Sequence, residues 1–168
     1  MVAFGHTAIG AIIGTIAFQQ LQNTDPLSGL LITGTVGVIS HYIMDAVPHG
    51  HFFTERDYKK RVGRVIIFDL FLSIVIFLGT AFYTSNSNVL YTLYIFFAIG
   101  GAQLPDILFG LIHLGFLPKK GLIKIENELH IATHWHGKKD KVLIWSIWDI
   151  WQVAIFLIAF VVVIITTP

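Results

Sequence analysis

The chain is 168 residues long, 55% hydrophobic and 12% charged, with a formal net charge of +1 and no cysteine. That length makes one domain, residues 1–168. The small charge excludes a global electrostatic pull toward nucleic acid, and the lack of thiols excludes disulfides, thiolate zinc sites, iron–sulfur clusters and cysteine nucleophiles. Charged residues are about half as frequent as in soluble domains and mean hydropathy is +0.74, so the chain reads as an all-α bundle embedded in a membrane.

Five apolar stretches follow one another, at 2–21, 28–48, 63–84, 89–117 and 142–165. A membrane-crossing helix takes about 20 apolar residues, and each stretch is long enough. The first has no basic leader and no small-residue cleavage site, so it is expected to be retained rather than removed as a signal. The turn Gln22-Asn23-Thr24-Asp25-Pro26 carries no basic residue, whereas connection 49–62 holds Arg56, Lys59, Lys60 and Arg61, with Arg64 just beyond. That basic run is first a topology signal and second a surface for anionic lipid. Residues Thr84-Ser85-Asn86-Ser87-Asn88 are polar and uncharged. The fourth stretch is long and is interrupted at Gly100-Gly101-Ala102-Gln103-Leu104-Pro105, where a proline is expected to break the helix. Connection 118–141 holds the remaining six lysines, and Trp145, Trp148 and Trp151 suit a membrane interface at the start of the last stretch. Every Lys and Arg thus lies in or beside the second and fourth connections. The positive-inside rule then puts those two connections in the cytoplasm, so that with five spans the N-terminus is expected inside and the C-terminus outside, in what is expected to be the cytoplasmic membrane.

Polar residues follow the same division. His6, His41, Asp45, Asp69, Asp106, His113, His130, His134 and His136 all fall toward the cytoplasmic side, while the outer side receives Asp25 and amides. Ionisable groups in an apolar segment mark function by default. His41 and Asp45 are one helical turn apart and share a face, as do Glu126, His130 and His134 if that stretch is helical. Pro48 ends the second helix, leaving His49 and His51 in a loop. Histidine and carboxylate ligands without thiolate suit zinc, manganese or iron. The residues assigned as metal ligands are His6, His41, Asp45, Asp106, His130 and His134, with Asp69 in reserve or orienting a ligand; Glu126 or Glu128 is the candidate general base. Repeated glycines (Gly5, Gly10, Gly14, then Gly29, Gly34, Gly37) are expected to allow close helix contact.

Three short motifs carry a resemblance. Gly5-His6-Thr7-Ala8-Ile9-Gly10, Ser40-His41-Tyr42-Ile43-Met44-Asp45-Ala46-Val47-Pro48-His49 and Leu104-Pro105-Asp106 resemble elements of the small integral-membrane, metal-dependent hydrolases grouped loosely with zinc-dependent phospholipase C. The family's His-Arg and Thr-His-Ser element is reduced here to Thr133-His134. The resemblance implies a zinc-dependent hydrolase of phosphoester or related ester bonds. A site at the cytoplasmic interface favours a lipid or lipid-linked substrate. Two other readings share parts of the pattern. One is a di-iron, histidine-box oxidase that modifies lipids; it would want more histidines and a His-His pair. The other is a non-enzymatic metal or proton transporter, or a structural membrane protein; a transporter would want polar residues across the whole thickness.

Overall fold

The computed structural model describes residues 3–47, 71, 73–84, 88–133 and 147–166. They form helices α1 (Ala3–Leu21), α2 (Pro26–Ala46), α3 (Ser73–Thr84), α4 (Val89–His113), α5 (Gly121–Thr133) and α6 (Ile147–Thr166), and no strand occurs among them. By length and composition α2 and α4 can each cross a membrane.

Local chemistry sets the helix ends. Asp25 caps α2: its Oδ2 accepts from the Ser28 amide and hydroxyl, each at 2.9 Å, and Pro26 occupies the first turn where no amide is required. Asn88 caps α4, its Oδ1 accepting from the amides of Leu90 and Tyr91 at 2.8 and 3.2 Å. The other end of α4 closes through Gly115 at φ +79°: its amide reaches Ile112 O at 3.1 Å, and the Phe116 amide reaches Leu111 O at 2.9 Å. A residue with a β-carbon would be strained at that turn.

The expected break at Pro105 does not occur; α4 runs unbroken from Val89 to His113 with Pro105 inside it. The proline removes one intrahelical donor, and its ring crowds the carbonyl four residues back. That residue is Gly101, which has no side chain to obstruct a small adjustment. Asp106 is accordingly a mid-helix residue rather than the cap of a new helix.

α4 is the centre of the bundle, with α1 and α2 packed on it, α6 against α1, and α5 against α2 and α4. The approach is close because the seams are built from small residues. A β-carbon on Gly10 would lie 2.7 Å from Ile99 Cα, and one on Gly14 would meet the Ile95 backbone. On the other side Gly34 faces Gly101, and Gly37 faces Ala98 and Ala102. Beyond these seams Ala11, Phe18, Leu30, Tyr91, Tyr94, Ile95, Ile99 and Val163 form the apolar core, with Phe18 edge-on to both tyrosine rings. α3 joins by stacking Phe77 on Phe96, centroids 4.4 Å apart. The outside is strongly apolar: Phe82 is 78% exposed, Phe160 60% and Leu31 57%.

Candidate metal centre

α1 and α2 are joined by the short turn 22–25, so the start of α1 meets the end of α2. There His6 Nε2 lies 3.1 Å from Asp45 Oδ1 and His41 Nε2 lies 3.2 Å from Asp45 Oδ2. One carboxylate oxygen thus faces each ring. The rings stack with centroids 4.0 Å apart, and all three side chains are buried. From α4, Asp106 sets Oδ2 at 4.0 Å from His6 Nε2 and Oδ1 at 4.0 Å from His41 Nε2. From α5, His130 brings Nε2 to 3.8 Å from the same Oδ1, with its ring stacked on Phe109. Asp106 is 33% exposed and is the open side of this cluster.

Two sets of side chains are arranged so that they could hold a metal ion: His6, His41 and Asp45; and His41, Asp106 and His130. Within each set the ligand atoms lie within 4.8 Å of one another. Ligands at zinc–nitrogen and zinc–oxygen bond lengths around a tetrahedral ion are about 3.3 Å apart, so the 3.1 and 3.2 Å separations at Asp45 already suit a shared ion.

His41 supplies the sharpest chemical test. Its Nδ1 donates to the carbonyl of Ala102 at 2.8 Å. In the neutral ring that bond leaves Nε2 with a lone pair, pointed at the lone pairs of Asp45 Oδ2. His41 Nε2 is buried and makes no hydrogen bond among the described residues. Two acceptors at that distance require either a proton on Nε2 or a cation beside them. A ring held by a backbone carbonyl at one nitrogen and free to ligate with the other is the usual setting of a metal-bound histidine. The donor set therefore fits a divalent ion.

The neighbours extend the arrangement. Tyr42 sets its ring edge-on to His41, centroids 5.5 Å apart, and its hydroxyl donates to Glu126 Oε1 at 3.4 Å. Burial pushes the Glu126 carboxyl above its ordinary pKa, opposed in part by that hydroxyl and by His41. Gln103 Nε2 donates to Thr7 Oγ1 at 2.7 Å, tying α4 to α1 next to His6. Glu128, the other candidate base, sits on the exposed side of α5 with Lys124 Nζ 3.7 Å away. Asp69, His134, His136, His49, His51 and Trp145 lie outside the described residues, as do the side chains of His113, Trp148, Asp149 and Trp151.

The structure therefore brings together His6, His41, Asp45, Asp106 and His130 from four helices, with Glu126 nearby. Sequence reasoning missed the Ala102 carbonyl, Tyr42, Gln103 and Asn127. A main-chain carbonyl leaves no mark in a sequence, but a glutamine in the small-residue run of α4 and an asparagine one turn before His130 are polar residues that deserved weight. No protein-family model, curated protein or solved structure matches this chain.

Proposed function

We propose that this protein is an integral-membrane, metal-dependent hydrolase that cleaves a phosphoester or related ester of a lipid or lipid-linked substrate at the cytoplasmic face. The observation that carries the reading is the convergence of His6, His41, Asp45, Asp106 and His130, with His41 oriented by Ala102 O. The proposed topology has five spans with the N-terminus inside. It is supported by the placement of ten of the eleven Lys and Arg residues in the second and fourth connections, with Arg64 just beyond the second, and by the apolar outer surface.

Zinc fits the imidazole and carboxylate donors best, with manganese or iron as alternatives. Bound there, the metal would supply Lewis acidity, polarising an ester oxygen and acidifying a water molecule. His6, His41, Asp45, Asp106 and His130 would hold it, with Asp69 and His134 as further ligand candidates from the sequence. Glu126 is the better placed of the two glutamates to take a proton from water: its carboxyl is partly buried, raised in pKa and held by Tyr42. In the reaction a water oxygen bonds to phosphorus, the ester P–O bond breaks, and the leaving alcohol takes a proton.

The deciding experiment is elemental mass spectrometry of detergent-purified protein, with His41→Ala/Asp45→Ala as control. About one or two equivalents of zinc or manganese, lost in the double variant, are expected, followed by hydrolysis of phosphoester lipids that depends on the metal. Iron instead would move the assignment to the lipid oxidase. An absence of metal after attempted reloading would leave a buried hydrogen-bond network and a non-enzymatic role.

A further inference from the structure

Asn127 is 0% exposed, yet neither its Nδ2 nor its Oδ1 has a hydrogen-bond partner among the described residues. Buried side-chain amides are nearly always satisfied, so such an orphan calls for something absent from the folded chain alone. Its position says what. Asn127 lies three residues before His130, so the two share the face of α5 that packs toward α2 and α4. His130 Nε2 is 3.8 Å from Asp106 Oδ1. Glu126, on the same helix, is tied to Tyr42 beside His41 and has a second buried oxygen, Oε2, that also makes no hydrogen bond among the described residues.

We infer that Asn127 is a ligand-facing amide of this site, whose Nδ2 donates to an oxygen of a bound phosphate group. The inference rests on the metal-site reading above and names the group recognised there. A neutral amide on the face of α5 that carries His130 is not drawn into ion pairing with the site's carboxylates as a lysine would be. A phosphate offers more acceptor oxygens than a cation takes up, and a surplus oxygen matches an unused N–H donor. The side chain is shut off from water, so the phosphate oxygen would have to reach it from inside the fold. A lipid phosphate headgroup and free phosphate present the same chemistry.

The test uses full-length protein in detergent, the parent alongside Asn127→Leu and the smaller Asn127→Ala. Zinc uptake is read by mass spectrometry. Phosphate binding is read as the shift in melting temperature of the zinc-loaded protein with inorganic phosphate or with mixed micelles containing phosphatidic acid. Both variants are expected to retain zinc, and Asn127→Leu to melt at or above the parental temperature without phosphate, since it removes an unsatisfied polar group. Both are expected to bind phosphate roughly tenfold or more weakly. A parental response to the micelles alone supports the inference and identifies the source as a lipid headgroup; a response to both probes supports it with free phosphate admitted.

A lower melting temperature in both variants, or failure of both to fold, makes the amide structural and overturns the inference. Loss of zinc makes Asn127 a metal ligand and overturns it equally. So does a parent that responds to neither probe. Normal zinc with an unchanged phosphate response overturns this inference alone. A parent that takes up no zinc overturns the metal reading and this one together.

Discussion

His41 is anchored at one nitrogen and turned toward carboxylates with the other, the geometry that a metal-binding histidine would need. Its Nδ1 is committed to Ala102 O, which points Nε2 at Asp45 and Asp106. Glu126 invites a different measurement. Burial raises its pKa, so the fold favours the protonated carboxyl. Its contribution to stability is then full below the unfolded value near 4.5 and is lost as pH rises through the higher folded value. Glu126→Gln keeps the shape without the charge. It is expected to melt above the parent near neutral pH, with the difference disappearing toward about pH 4. Thermal scans of both proteins across that range check this; a difference independent of pH would remove the carboxyl as its cause. At this scale the sequence was informative within helices and silent between them. The four-residue spacing of His41 and Asp45 and the polarity of Asp106 in an apolar run could be read directly. That His6 would meet Asp45 across two helices, and that Glu126 would face Tyr42, depended on rotations about helix axes that no short motif records.

The helices themselves were legible because each apolar run is bounded by turn chemistry. Within the described residues the stretches 2–21, 28–48, 89–117 and 142–165 hold α1, α2, α4 and α6, and 63–84 holds α3, but only α2 and α4 are long and apolar enough to cross a membrane, against the five spans expected from the sequence. α5 was visible only as a conditional helix through Glu126 and His130. Pro105 misled because a proline breaks a helix only when the lost hydrogen bond and the ring clash cannot be absorbed, and Gly101 occupies the position of the clash. The glycine seams carry a paired prediction. Gly14→Ala would drive a β-carbon into the Ile95 backbone, whereas a β-carbon on Gly100 meets nothing within 4 Å. Gly14→Ala is expected to lose about 1–3 kcal/mol through overpacking. Gly100→Ala should be neutral or gain up to about 1 kcal/mol from helix propensity. Reversible unfolding in mild detergent measures both, and equal effects would mean that α1 and α4 do not pack as described.

At the scale of the whole molecule the described residues are apolar on the outside as well as in the core, with several polar side chains buried. Buried histidines, threonines, Asp45 and Asn127 lie inside, while large apolar side chains cover much of the outside. The proposed topology makes a direct prediction. Reporters fused after Pro168 should be active only outside the cytoplasm, and reporters placed in connection 49–62 only within it. The reverse pattern would move the histidine cluster to the other face and detach it from cytoplasmic substrates. Because its residues are scattered from position 6 to position 130, the cluster also has a birth order. His6, His41 and Asp45 emerge early in synthesis. Ala102, which fixes His41, and Asp106 arrive only with α4, and His130 only with α5. An ion that needs all of these groups could not be held before α5 is made, so full metallation would be a late step of biogenesis, and a chain truncated before α5 would keep only the set His6, His41 and Asp45 together with Asp106.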